Sequence, residues 1–242
     1  MMEIRRDKTA LVHLVAFSLL MPGLFAQNVS PQGKSDILNQ LSLPDWREHV
    51  AVFADLDSTD LADSDIFLKM VQLLDKTISY KLKYPKELEE NDYYYENYLK
   101  RLIDLLSATK RAEAIPALIY SFQVIGLQWL PSRLALFGEP VIDPCIVKLR
   151  IVDEFEFGRT DAAKTLLEII RQNKVTPGLA SDQSLAHIKE FMFNRAQVPG
   201  GDNIRLYALR SIAEYDDPEI INYLREVAEN DPIYTERENA TK

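Results

Sequence analysis

The chain has 242 residues and a formal net charge of −9. This acidic balance, without a clustered basic stretch, argues against nucleic acid as a partner, because phosphate binding needs a concentrated positive surface. A single cysteine, Cys145, excludes an internal disulfide framework, so stability must come from packing. Cys145 lies in an apolar run and is expected to be a small buried core residue.

The first 26 residues have the organisation of a signal peptide. Arg5, Arg6 and Lys8 form a basic region, residues 11–20 an apolar one, and Ala26 a small-residue cleavage site. The apolar run is shorter than the roughly 20 residues that span a bilayer, although an uncleaved anchor is an alternative. We therefore expect cleavage after Ala26, no membrane insertion afterwards, and a secreted or periplasmic location.

Residues 27–43 and 44–91 precede the more regular part of the chain. The first segment is polar, carries Pro31 and Gly33, and predicts a flexible lead-in that ends in a short helix at 37–41. In the second segment, Phe67, Met70 and Leu74 follow at i, i+3 and i+7, as on one face of a helix. We predict an N-terminal helical segment there.

The acidic stretch at residues 55–65 is the strongest candidate for metal chemistry. Its carboxylates, with Thr59, could supply the clustered oxygen ligands that Ca²⁺ prefers; they are Asp55, Asp57, Asp60, Asp63 and Asp65. The EF-hand template fails, because Asp60 stands where glycine is needed and Ile66 where a bidentate glutamate is needed. We predict a solvated loop that ends in a helix N-cap at Ser64 or Asp65, with no metal site and no cofactor.

Helical spacing continues to the C-terminal end, and sustained period-2 alternation is lacking, so the sequence predicts an all-α fold. The apolar positions that show it are Tyr95, Tyr98, Leu99, Leu102, Ile103 and Leu106; Ala163, Leu166, Leu167 and Ile170; and Ile220, Leu224 and Val227. Tyr93 and Tyr94 fall outside the first stripe. They are either a recognition patch or, as we favour, packed at the rim of the core.

Two stretches near the C-terminal end follow one template. Each runs from an aspartate, Asp202 or Asp231, into an Arg-x-x-Ala step, and the arginines, Arg205 and Arg237, are 237 − 205 = 32 residues apart. A fixed period of this size is typical of helical repeats. We expect both arginines to be structural repeat positions that pair with a neighbouring aspartate or bind carbonyl groups between units. Ligand binding is the alternative.

These units, with Ala114-Ile115-Pro116-Ala117-Leu118-Ile119 and residues 134–142, resemble HEAT repeats, particularly the short kind of bacterial secreted proteins and phycobilisome-lyase-like modules. The resemblance covers residues 92–242. It implies an α-solenoid of stacked antiparallel helix pairs, in which the second helix of each pair lines a concave surface. In this scheme residues 158–196 form one unit, with its second helix at 185–196.

Catalytic motifs of the Gly-x-Ser-x-Gly, His-Glu-x-x-His or glycine-loop type do not occur in the sequence. His49 and His187 lie far apart in sequence, and we expect His187 on a helix surface or a partly buried face. The sequence therefore favours a non-catalytic exported scaffold that binds another protein. The alternative is an accessory module of an enzyme system, lyase-like or carbohydrate-active, in the cell envelope.

The predicted second helices also indicate a binding surface. Lys148, Lys189 and Arg225 fall one per unit, opposite the apolar stripes of their helices. Repeat scaffolds use such rows because each unit presents the same position along a groove. A basic row on an acidic protein would favour an acidic segment of the partner. The alternative is that the three are scattered solubilising charges.

Overall fold

The computed structural model describes residues 33–57, 59–84, 92–124, 127–151, 156–200 and 202–233; of residues 92–96 it describes the backbone alone. In these ranges the chain forms α-helices and short 3-10 segments and no strand, which confirms the predicted all-α class. The predicted signal peptide and Arg237 lie outside the described residues, as do the side chains of Tyr93 and Tyr94.

Eleven α-helices follow one another in the described ranges. They are α1 (Lys34–Gln40), α2 (Trp46–Asp55), α3 (Ser64–Lys83), α4 (Asp92–Ala108), α5 (Ile115–Tyr120), α6 (Leu130–Ala135), α7 (Glu139–Arg150), α8 (Glu156–Val175), α9 (Asp182–Ala196), α10 (Asn203–Ile212) and α11 (Pro218–Asn230). Short 3-10 segments occupy Asp60–Ala62, Ala112–Ala114 and Ser121–Gln123. The short helix predicted at 37–41 begins earlier, at Lys34.

Side-chain caps fix the starts of several helices. The carboxylate of Asp63 accepts the N–H groups of Asp65 (2.9 Å) and Ile66 (3.3 Å) and begins α3. Asp202 accepts from Arg205 (2.7 Å) at α10. Such a cap satisfies backbone donors that have no partner within the helix. The predicted cap at Ser64 or Asp65 was therefore one or two residues too late.

Contacts between the helices follow a regular order. Each odd-numbered helix up to α9 packs on the even-numbered helix that follows it. Each helix from α1 to α8 also packs on the helix two places further along the chain. The sequence grouped residues 158–196 into one unit, yet α8 packs more extensively on α7, and α9 on α10. Two helices that are consecutive in the chain, such as α8 and α9, are therefore not always each other's main packing partners.

One hydrophobic core cluster extends from Ile37 to Val227. Cys145 is fully buried in it, as predicted, and burial raises the pKa of its thiol. Leu209 is fully buried as well, as are Ala208 and Ile212. Ala213, the residue directly after α10, is exposed.

Gly138 allows a close approach between the start of α7 and the segment before α9. Its φ of 68° lies in the region that favours glycine. A Cβ at this position would stand 2.0 Å from the carbonyl oxygen of Leu179. That oxygen accepts a hydrogen bond from the N–H of Glu139 at 3.2 Å. The glycine thus holds α7 and the approach to α9 together.

Candidate functional site

A groove of about 340 Å³ lies between α5 and α7. Its lining is mostly apolar and consists of Ile115, Pro116, Ile119, Tyr120, Gln123, Pro144, Val147, Lys148 and Ile151. Val147 is 56% exposed and Ile151 is 41% exposed, so two branched apolar side chains of this wall face solvent. Contiguous exposed apolar surface with a polar rim is typical of an interaction site.

Lys148, predicted to face a partner, is only 6% exposed. Its Cε lies 3.4 Å from the position that a Cβ at Gly158 of α8 would take. The lysine stem therefore runs from α7 towards α8, where the missing side chain of Gly158 leaves room. Exposure of Lys148 was wrongly expected, because α5, α8 and α9 all pack on α7 and cover more of it than its own apolar stripe indicates.

A second depression, of about 330 Å³, lies between α7 and α9 and is more polar. Its lining is Glu139, Ile142, Asp143, Gln183, Ser184 and His187. Glu139 Oε2 accepts the N–H of Ser181 at 3.0 Å, and this bond lowers the pKa of Glu139. The imidazole of His187 is about half exposed, as predicted, with Nδ1 3.6 Å from Asp143 Oδ1. This depression offers polar contacts where the first offers apolar ones.

Lys189 joins α9 to the start of α11. Its ammonium pairs with the carboxylate of Asp217, the N-cap of α11, and lowers the pKa of that carboxyl. The same ammonium lies 5.9 Å from the ring centre of Tyr215. Lys189 is therefore committed to a contact between helices. Of the three residues in the predicted basic row, Arg225 is the one on the open surface, with Nη1 3.5 Å from Asn222 Oδ1.

Arg205 has the structural role predicted for it. The residue is 5% exposed, and its Nη2 lies 2.6 Å from Asp231 Oδ2 while Nε donates to the carbonyl of Ala196 at 2.9 Å. Burial alone would lower the pKa of Arg205, but the bond to Asp231 raises it. The Tyr223 hydroxyl donates to the same Ala196 carbonyl at 2.6 Å. These bonds hold the ends of α9 and α11 to the start of α10.

Two further arginines bind main-chain oxygens at helix ends, and sequence reasoning missed both. Arg101 of α4 donates to the carbonyls of Phe53 (3.1 Å) and Leu56 (3.2 Å) at the end of α2. Arg159 of α8 donates to the carbonyl of Leu149 in α7, with Nη2 at 3.3 Å. Arg159 and Arg205 are 205 − 159 = 46 residues apart, and each bonds the helix before its own. That spacing was the available signal for Arg159, and it gives none for Arg101.

Several carboxylates of the acidic stretch after α2 form hydrogen bonds or ion pairs with other residues of the chain. Asp57 Oδ1 accepts the N–H groups of Thr59 (2.7 Å) and Asp60 (3.2 Å). Lys34 Nζ pairs with Asp63 (2.8 Å) and Asp65 (2.6 Å). Within the described ranges, no group of three or more His, Cys, Asp or Glu side chains is arranged to hold a metal ion.

None of the helices described here combines the length and hydrophobicity needed to cross a membrane. Comparison with protein-family models, curated proteins and solved structures found no match to this chain.

Proposed function

We propose that this chain is a non-catalytic exported scaffold, an α-solenoid of HEAT-like helix pairs that binds another protein. The order of helix contacts supports the solenoid, because stacked pairs touch within the pair and at the next pair. The 46-residue spacing of Arg159 and Arg205 falls in the range of HEAT units, about 40–47 residues. Since the same contacts begin at α1, we extend the array to residues before 92.

The apolar groove between α5 and α7 is the observation that carries the binding function. Val147 and Ile151 leave branched apolar surface open to water there, and covering it with a partner would release that water. The polar depression between α7 and α9 continues the same series of odd-numbered helices. A partner segment that crosses α7 would meet apolar contacts first and hydrogen-bonding groups next.

The partner in this proposal is a protein segment with apolar side chains. The polar residues in the described lining of the groove are Tyr120, Gln123 and Lys148, and Lys148 is only 6% exposed. The acidic partner segment expected from the basic row is therefore not assigned to this groove, and the apolar contacts alone define the proposed partner.

A photo-crosslinking residue placed at Val147 tests this function. In cells that produce the full chain, Val147 should give one discrete protein adduct, whose identity mass spectrometry supplies. A crosslinker at Val175, which is 83% exposed at the end of α8, is the matched control and should give no such adduct. Ile151→Asp, which charges the groove wall, should abolish the Val147 adduct, whereas Val175→Asp should leave it. The same adducts from both positions, or none from Val147, would contradict the proposal.

A further inference from the structure

His49 is a buried histidine that the proposed binding function does not use. It lies in the first turn of α2 and is 3% exposed. Both ring nitrogens are at hydrogen-bonding distance from an oxygen: Nε2 is 3.0 Å from the carbonyl of Leu43, and Nδ1 is 3.1 Å from the hydroxyl of Tyr98 in α4. The rings of Phe53 and Tyr98 lie 6.2 and 6.0 Å from the imidazole centre.

The bond to Leu43 shows which ring nitrogen carries the proton when His49 is neutral. A carbonyl oxygen only accepts, so Nε2 carries the proton and donates to Leu43. Nδ1 of the neutral ring must then accept the O–H of Tyr98, whose pKa burial raises to about 12. A second proton on His49 would point an N–H at the Tyr98 oxygen, so that hydroxyl, which also bonds Thr77, would have to turn away from His49. It would also place a cation among aromatic rings, away from water.

The groups around His49 act on its pKa in both directions. Burial is the main cause that lowers the pKa of His49, and the positive charges of Lys69 and Lys76 on α3 lower it further. The hydrogen bond to Leu43 and the negative charge of Glu48 act in the opposite direction. The carboxylate of Asp45, the N-cap of α2, also interacts electrostatically with His49. The guanidinium of Arg101 on α4 faces the other end of α2 and adds no negative charge. From α1, Lys34 is held by the exposed carboxylates of Asp63 and Asp65.

We propose that His49 is a pH-sensitive latch that holds α1 and the start of α2 against α3 and α4, and that protonation of His49 opens it. Within the described ranges, the main contacts of these two helices are with each other and with α3 and α4. Elements with fewer packed neighbours open at a lower free energy than those surrounded by other elements. Acidification would therefore release this segment while the rest of the chain stays folded.

The direction of the pH effect follows from the pKa of His49 in the closed and open forms. In the closed form His49 has a pKa below its ordinary value, so the open form binds the extra proton. Closing is thus fully favoured above a pH of about 6.5 and weakens as the pH falls below it. One coupled proton multiplies the opening constant about tenfold for each pH unit, until the closed form is protonated too.

Hydrogen exchange of the full chain between pH 7.5 and 5.5, corrected for intrinsic rates, tests the latch. Peptides from residues 37–52 should lose protection below pH 6.5, by at most about tenfold per pH unit, whereas those from residues 203–212 should keep it. In His49→Gln the response should disappear, because an amide does not titrate. His187→Gln removes an exposed histidine and should leave the response unchanged.

Three outcomes would overturn the latch. They are unchanged protection of residues 37–52 down to pH 5.5, an equal loss at residues 203–212, and a His49→Gln variant with the original pH response. If His49→Gln does not fold, NMR titration of the unaltered chain decides instead. The His49 ring should then titrate below the ordinary histidine value of about 6.5 and together with the loss of protection, and an ordinary pKa for His49 would refute the proposal.

Discussion

Arg205 and Asp231 form a buried ion pair that joins the start of α10 to the end of α11, with 2.6 Å between Nη2 and Oδ2. Their side chains are 6% and 9% exposed. Asp231→Ala would leave the guanidinium buried without its carboxylate, and loss of one partner of a buried pair costs about 3–5 kcal/mol. Chemical denaturation should show this loss, while Arg225→Ala on the exposed face of α11 should change stability by less than about 0.5 kcal/mol. Equal effects of the two changes would mean that the pair contributes little.

The apolar stripe of α10 gives a second prediction. Leu209 is fully buried, so Leu209→Ala should lower the free energy of unfolding by roughly 2–5 kcal/mol through lost contacts and the cavity left behind. Val175→Ala, at an 83% exposed position, is the control and should be almost neutral. A loss below about 0.5 kcal/mol for Leu209→Ala, which is the range of surface changes, would show that α10 does not pack as described.

Alanine variants of Gly138 and Gly178 allow the cost of backbone strain to be compared with the cost of steric overlap. Both have positive φ, 68° and 91°, but a Cβ at Gly138 would meet the Leu179 carbonyl at 2.0 Å, whereas one at Gly178 meets nothing within 4 Å. Gly178→Ala should therefore cost about 1–3 kcal/mol, the cost of strain alone. Gly138→Ala should cost clearly more, because α7 must also move away from Leu179. Thermal unfolding of both variants measures the difference, and equal costs would rule out a close approach at Gly138.

Asp161 gives a prediction about pH. Burial raises its pKa from 3.8 to about 6, so the folded chain binds the extra proton between these values. The carboxylate therefore destabilises the fold above pH 6, and this penalty disappears as the pH falls towards 4. Asp161→Asn should raise the free energy of unfolding at pH 7.5 by on the order of 1–3 kcal/mol and have little effect near pH 4.

The control for that prediction is Asp143→Asn, since the Asp143 side chain is 82% exposed. Denaturant unfolding of both variants at pH 7.5 and pH 4 gives the comparison. A stabilisation by Asp161→Asn that is the same at both pH values would indicate a cause other than titration. So would a similar gain from Asp143→Asn.

The sequence predicts the helices better than it predicts their neighbours. The spacing of Phe67, Met70 and Leu74 correctly indicates one face of α3. All three side chains are inaccessible to water. The spacing around Lys148 wrongly predicts that this side chain is exposed. An apolar stripe indicates one buried face of a helix, but not how many helices cover its other faces. How many helices cover α7 depends on contacts with α5, α8 and α9, which the local sequence does not encode.

The candidate site was predicted even less completely. The groove beside Val147 forms between two helices, α5 and α7. No sequence motif indicates that these two helices lie side by side. Arg205 was found because its template occurs twice in the sequence. Arg101 and Arg159 were missed because the atoms they bind belong to the main chain, and a main-chain oxygen is present whatever the residue type.

That choice of acceptor has a consequence for how such a chain varies over time. Phe53, Leu149 and Ala196 can each be exchanged for another residue without removing the carbonyl that an arginine binds. The arginine is then the only member of the contact under selection for that bond. In a set of related chains, we expect these arginines to be constant and to have no covarying partner. Methods that infer contacts from paired substitutions would therefore not detect these arginine–carbonyl bonds.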